Sequence, residues 1–135
     1  MNVAEQMCPQ VWQKIKTLAD THETPFLALD LNSIKEKYDE LQQGFDYARI
    51  FYAVKANPAD EVIELLANAG ASFDIASTFE LDKVMKFGVS PTRMSYGNTI
   101  KKARDIAYFH ERGIDLFATD SEPDLRNIAK HAPGS

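Results

Sequence analysis

Strand-like and helix-like segments alternate regularly through most of the sequence. Each short apolar segment, read as a strand, is followed by a segment with apolar residues at helical spacing. The predicted strands are residues 48–54, 72–76, 93–96 and 115–119. The predicted helices are residues 59–69, 78–87, 100–112 and 122–131. Gly70, Gly88 and Gly113 follow the first three helices, as expected for residues that end a helix. Such alternation predicts a parallel sheet with right-handed crossovers.

Two architectures accommodate four successive strand–helix units: an open doubly wound sheet, or part of a (β/α)8 barrel. No GxGxxG turn follows the first strand, which disfavours the dinucleotide-binding form of the open sheet. The even length of the units favours the barrel. A closed barrel needs about 200 residues or more, whereas this sequence has 135. We therefore predict an α/β fold that forms about half of a (β/α)8 TIM barrel.

Residues 1–44 are predicted to form a segment that precedes the barrel units of residues 45–135. A helix is expected at residues 9–21, with Pro9 in its first turn. The apolar run Phe26–Asp30 predicts a short strand. A second helix, capped by Asn32 or Ser33, should then run to about Gly44.

The overall composition excludes several classes of protein. A formal net charge of -5 without a cluster of basic residues argues against a nucleic-acid-binding surface. A single cysteine, Cys8, rules out a disulfide framework and a cysteine-rich zinc site, and it is compatible with the reducing cytoplasm. The three histidines have no metal-ligand spacing, so no metal site is predicted. No apolar run reaches the roughly 20 residues of a membrane helix, and the N-terminus lacks the pattern of a signal peptide.

A lysine stands where the first predicted barrel strand ends. Lys55 follows the apolar run of that strand and precedes Asn57-Pro58. We expect its amine to be partly desolvated, which would lower its pKa and favour attack on a carbonyl carbon. An exposed lysine in an ordinary strand-to-helix turn is the alternative interpretation.

Further polar residues lie near or just after the carboxyl ends of the other predicted strands. In a parallel sheet the carboxyl ends of the strands share one edge, where catalytic residues gather. A lysine beside carboxylates is suited to covalent catalysis through a Schiff base. Structural roles also remain open: Asp74 can accept from turn amides, Glu80 can favour a helix N-terminus, and Asp120-Ser121 can cap a helix. The residues at this edge are Lys55, Asp74, Ser77, Glu80, Tyr96 to Asn98, and Asp120.

Four motifs in order resemble one family of enzymes. They are FYAVKANP from Phe51, FDIASTFEL from Phe73, YGNTIK from Tyr96 and FATDSEPDL from Phe117. Together they resemble the ornithine decarboxylase-type members of the fold-type III pyridoxal-phosphate decarboxylases. The resemblance extends from about Pro25 to Ser135. It implies a barrel of the alanine racemase-like type.

The resemblance also implies roles for individual residues. Lys55 would bind pyridoxal 5'-phosphate (PLP) covalently and help to return a proton after decarboxylation. Ala53 would line the cofactor, Asp74 would lie near the cofactor and the lysine, and Glu80 would lie near the bond between them. The implied reaction is decarboxylation of a small diamino acid, L-ornithine to putrescine above all, and also lysine. The implied protein is a cytoplasmic homodimer with no nucleic-acid or membrane partner.

Two other interpretations remain open at this point. The chain can be a decarboxylase-like regulator that binds a full-length subunit, or another fold-type III enzyme such as an amino acid racemase or a diaminopimelate decarboxylase. The family's phosphate-binding loops, the carboxylate that faces the pyridine nitrogen, the stacking histidine and the substrate-binding acid are expected beyond the four motifs present here. We therefore expect the N-terminal part of a longer enzyme. Alone, such a half-barrel would expose two strand edges and tend to associate.

Overall fold

The computed structural model describes residues 8–135, which form two compact units divided between Asp30 and Leu31. In the first unit, helix α1 (Pro9–Thr21) has the predicted bounds, with proline in its first turn. Its apolar side chains Val11, Ile15 and Leu18 line a small groove with Ala28 and Leu29.

The predicted strand Phe26–Asp30 is wrong. This segment has no strand conformation, and it pairs with no other described segment. Phe26 and Leu27 are 38% and 82% exposed. An apolar run becomes a strand only when a neighbouring strand satisfies its backbone groups, and residues 8–135 offer none to it.

The second unit begins with helix α2 (Leu31–Gly44), although residues 1–44 are predicted to form a segment separate from the barrel units. The helix starts at Leu31 and therefore before both predicted capping residues, Asn32 and Ser33. Tyr38 is buried, and α2 packs against helix α3 (Asp60–Asn68). α2 is thus an integral part of the unit that contains the sheet.

Three parallel strands form the sheet in sequential order: β1 (Phe51–Ala53), β2 (Ser72–Ile75) and β3 (Met94–Tyr96). Sequential order is what a (β/α)8 barrel requires, since each strand there is the neighbour of the next. The helices that follow are α3, α4 (Thr78–Met85), α5 (Ala103–Glu111) and α6 (Glu122–His131). The glycines after α3, α4 and α5 have φ of 86°, 69° and 80°, as predicted for helix-ending residues. Short 3-10 helices occupy Val54–Ala56 and Pro91–Arg93.

The fourth predicted strand, residues 115–119, is reduced to a single parallel bridge between Tyr96 and Phe117. Two backbone hydrogen bonds hold it: Tyr96 N donates to Leu116 O at 2.9 Å, and Ala118 N donates to Tyr96 O at 3.0 Å. The segment has a neighbour on one side alone among residues 8–135. A strand paired at one edge leaves half of its backbone groups without ladder partners, which accounts for the shortening.

Helix α5 begins three residues later than predicted, and Ile100, which was expected to face inward, is 85% exposed. The backbone before α5 is a loop in which the neighbouring residue, Lys101, is buried instead. Burial of the lysine side chain orients the loop so that Ile100 faces solvent.

The core lies between the helices and one face of the sheet. Side chains alternate between the two faces of a strand, and the strand residues facing the helices are almost completely buried. On the helices, Ile63, Leu81 and Phe109 are fully buried. Among the described residues, no helix has the length and apolar character needed to cross a membrane. The buried strand residues of this face are Phe73, Ile75, Met94 and Tyr96.

Candidate functional site

At the carboxyl ends of the strands, the face of the sheet opposite the core carries small and polar residues. Ala53 pairs in register with Asp74, and Asp74 with Ser95. Residues in register on parallel strands point to the same side of a sheet. Ala53, Asp74 and Ser95 therefore form a row across the sheet at the carboxyl ends of the strands. We call this row the strand-end row.

Lys55 lies directly beyond the strand-end row, in the 3-10 helix that follows β1. Its neighbour Val54 is fully buried and fixes this turn to the core. The turn is also held by Tyr52 and Asn57, because Tyr52 Oη donates to Asn57 O at 3.1 Å and Asn57 Oδ1 accepts from Ala59 N at 3.1 Å. The lysine side chain is exposed.

The expected partial desolvation of Lys55 is therefore wrong for the chain as described. The strand ends at Ala53 rather than continuing to residue 54, and the tight turn directs the side chain of Lys55 outward. Its amine is accessible at the edge of the sheet where the strand-end row lies.

Asp74 is held by a side chain of the neighbouring strand. Ser95 Oγ donates a hydrogen bond of 2.8 Å to Asp74 Oδ1. Among the described residues, no turn amide donates to this carboxylate. The alternative in which Asp74 serves only to accept from turn amides is therefore wrong for these residues. A Cβ atom placed on Gly97 would overlap the Asp74 carboxyl group. The carboxylate thus occupies the space that a side chain at position 97 would fill.

Glu80 lies in the first turn of α4 and is bound to backbone. Its Oε2 accepts from Ala76 N at 2.7 Å, and its own amide donates to Ser77 Oγ at 3.3 Å. This reciprocal arrangement resembles a capping box, so Glu80 and Ser77 both stabilise the start of the helix. Within residues 8–135, no hydrogen bond or ion pair joins Lys55 to Asp74 or Glu80.

A buried lysine ties together the loops that follow β3 and the Phe117 bridge. Lys101 Nζ donates to Ala118 O at 2.7 Å and to Asn98 O at 2.9 Å, and it forms an ion pair of 2.6 Å with Asp124. The lysine side chain is fully buried and that of Asp124 is 9% exposed. Asp120 is exposed, and Ser121 accepts from Asp124 N at 3.4 Å. Ser121 is thus the predicted cap of α6, and Lys101 determines how the two loops meet.

Tyr96 lies beneath these loops, on the core face. Its ring stacks on Phe109 with centroids 3.9 Å apart, and Lys101 Nζ is 5.8 Å from the ring centroid. Burial, with smaller contributions from the carboxylates of Asp105 and Asp124, raises the pKa of Tyr96 to about 12. The phenol is therefore neutral at physiological pH.

Sequence reasoning missed Ser95 and Lys101. Ser95 is a hydroxyl residue between the apolar neighbours Met94 and Tyr96 on a buried strand, which is a readable signal for a partner on the polar face. Lys101 gives no comparable signal, because a lysine before a helix is usually solvated. The described residues contain no group of three or more histidine, cysteine or acidic side chains that could hold a metal ion.

Comparison with known proteins identifies the family. Residues 31–135 match the family described as "Pyridoxal-dependent decarboxylase, pyridoxal binding domain". The chain is 35% identical over 123 residues to the lysine/ornithine decarboxylase of Selenomonas ruminantium, covering 91% of this chain and 31% of that protein. It is 36% identical over 111 residues to the chloroplastic ornithine decarboxylase of Nicotiana glutinosa, covering 82% and 26%.

Solved structures agree with the sequence comparison. A crystal structure of lysine decarboxylase from Selenomonas ruminantium matches with a TM-score of 0.84 at 35% identity, covering 91% of this chain and 32% of that chain. A crystal structure of a mutant of SrLDC in complex with PLP matches with a TM-score of 0.83 at 35% identity, covering 91% of this chain and 32% of that chain. The match confirms that the sheet is the N-terminal portion of a TIM barrel.

The chain spans about a third or less of the length of these relatives. The matched portion nevertheless includes the strand-end row and Lys55. Since the family match covers most of the sequence, the chain belongs to the pyridoxal-dependent decarboxylases, as part of their pyridoxal-binding domain.

Proposed function

We propose that this chain supplies the lysine-bearing part of a PLP-dependent decarboxylase of basic amino acids. The preferred substrate is L-ornithine, which would give putrescine, and lysine is a second substrate. The observation that carries the proposal is the position of Lys55 at the carboxyl edge of β1, within the region that matches the pyridoxal-binding domain. The ornithine and lysine decarboxylases among its relatives support this substrate class.

The residues present fit PLP. The cofactor carries an aldehyde, and the exposed amine of Lys55 can reach an incoming carbonyl group. Ala53 adds only a methyl group to the strand-end row, which leaves room above the sheet. When bound, PLP acts as an electron sink for the carbanion left by carbon dioxide.

Each proposed site residue has a distinct task. Lys55 holds the cofactor covalently and later carries a proton on its amine. Asp74 presents a carboxylate that attracts the cationic amine of Lys55 and orients it toward the cofactor. Glu80 acts near the bond between Lys55 and the cofactor, where the hydrogen bond from Ala76 N to Oε2 leaves Oε1 as the free acceptor. Ala53 lines the cofactor.

Product analysis tests the proposal. The purified chain would be loaded with PLP and then incubated with ornithine, lysine or diaminopimelate in separate reactions. The amines formed would be measured by chromatography. We expect the wild-type chain to form putrescine from ornithine. This product should be absent with Lys55→Ala and present with Lys86→Ala, the control variant at an exposed lysine. Product from diaminopimelate alone would instead identify a different fold-type III enzyme.

A catalytically incomplete chain is the second outcome that this experiment can detect. PLP bound at Lys55 without amine from any substrate would mean that catalysis requires the rest of the protein. Capture of a full-length subunit without any PLP binding would identify a regulator. The homodimer and the cytoplasmic location are part of the same proposal and rest on the family resemblance.

A further inference from the structure

The hydroxyl of Ser95 is placed to act on Asp74. The two residues are register partners on β2 and β3, and Ser95 is 9% exposed. Its Oγ donates to Asp74 Oδ1 at 2.8 Å. Both neighbours of Ser95 in β3 face the core, so the hydroxyl is the one polar group that this strand contributes to the strand-end row. Its hydrogen bond therefore goes to a proposed site residue.

Gly97 restrains the same carboxylate from a second side. Gly97 N donates to Ile75 O at 3.0 Å, which fixes its backbone against β2. The space where a Cβ would lie at this position is filled by the Asp74 carboxyl group. Rotation about χ2 of an aspartate is ordinarily broad and roughly two-fold. Contact with Gly97 and the bond from Ser95 together select one orientation.

We propose that Ser95 is a positioning residue that fixes Asp74 for cofactor binding, an inference that rests on the proposed function. Ser95 occupies Oδ1 and would leave Oδ2 to face the bound cofactor and the amine of Lys55. Without the hydroxyl, the carboxylate plane can rotate over the broad χ2 range of an aspartate, and no oxygen is held toward the cofactor. Binding then includes the cost of ordering Asp74, so affinity for PLP falls.

A pair of variants of nearly equal shape isolates the hydroxyl. Ser95→Thr keeps the donor and Ser95→Val removes it, and both β-branched residues suit a strand. PLP would be titrated into the wild-type chain and each variant, following the visible absorbance of bound cofactor and its dependence on pH. We expect Ser95→Thr to bind within about threefold of wild type and Ser95→Val about tenfold more weakly, as for a lost hydrogen bond to a charged group. The pH at which the absorbance changes should move in Ser95→Val only.

A double-mutant cycle with Asp74→Asn shows whether Ser95 acts through the carboxylate. If it does, Ser95→Val should weaken PLP binding by less than about twofold in the Asp74→Asn background. An equal tenfold loss in both backgrounds, or equal binding by the Thr and Val variants, would overturn the inference. Thermal unfolding of each variant separates loss of folding from loss of positioning, and Ser95→Ala replaces the Val variant if that one does not fold.

Failure of the proposed function has a different signature. If the wild-type chain takes up no PLP at Lys55, the proposed function and this inference fall together. If the wild-type chain takes up PLP at Lys55 but the Ser95 variants do not show the expected differences in affinity, only the proposed role of Ser95 is refuted.

Discussion

Replacing Lys101 by methionine should destabilise the chain strongly. The lysine side chain is fully buried, and it pairs with Asp124 at 2.6 Å. The substitution keeps much of the side-chain volume but leaves the Asp124 carboxylate and the carbonyls of Asn98 and Ala118 without their donor. Breaking a buried pair by removing one partner costs about 3–5 kcal/mol. That is a large part of the roughly 5–15 kcal/mol that holds a typical domain folded.

Urea unfolding followed by circular dichroism measures this loss. With a slope of about 2 kcal/mol per M, the unfolding midpoint of Lys101→Met should fall by about 2 M. Lys102→Met is the matched control, because the adjacent lysine is exposed, and its midpoint should change little. The double variant Lys101→Met/Asp124→Leu should recover much of the loss, since it removes both charges.

Two results would contradict a stabilising role of the buried pair Lys101–Asp124. One is a loss of less than about 1 kcal/mol in Lys101→Met, which would mean that water or another cation replaces the ammonium group. The other is a double variant at least as unstable as the sum of the two single variants, which would mean that the charges do not depend on each other.

Three further predictions follow from the buried residues around the sheet. Because the pKa of Tyr96 is raised, the stabilisation by its neutral phenol is present below pH 10 and is lost as pH rises toward 12. Urea titrations should show a loss of about 2–3 kcal/mol in unfolding free energy over this range. An equal alkaline loss in Tyr96→Phe would contradict this prediction. Gly97→Ala should displace the Asp74 carboxyl group and reduce PLP binding by about tenfold, whereas Gly44→Ala, where a Cβ has open space, should leave it unchanged. Phe73→Ala should cost about 3–5 kcal/mol of unfolding free energy because its side chain is fully buried; a calorimetric loss below 1 kcal/mol would contradict the assigned core.

The order of elements could be predicted because it depends on local patterns. Apolar spacing and the helix-ending glycines Gly70, Gly88 and Gly113 determine each strand–helix unit by itself. The segment Phe26–Asp30 carries the same apolar signal but lacks a partner strand among residues 8–135. Whether an apolar run becomes a strand depends on such a partner, which the local pattern does not contain.

The candidate site could be predicted in part for the same reason. Lys55 follows a predicted strand and Asp74 lies in the carboxyl-terminal part of the next strand, so their placement toward one edge could be read from the sequence. The pairing of Asp74 with Ser95 depends on the register between β2 and β3, which the alternation of residues within one strand does not specify. The exposure of Lys55 likewise depends on a tight turn that begins immediately after Ala53.

The most direct test of the account is to locate the lysine that binds PLP. The chain would be incubated with PLP, reduced with borohydride, digested and examined by mass spectrometry, with Lys55→Ala and Lys86→Ala as the test and control variants. We expect a pyridoxyl group on Lys55 in the wild-type chain and in Lys86→Ala, and none at this site in Lys55→Ala. Absence of the group from Lys55, or its even distribution over many lysines, would contradict the proposed site.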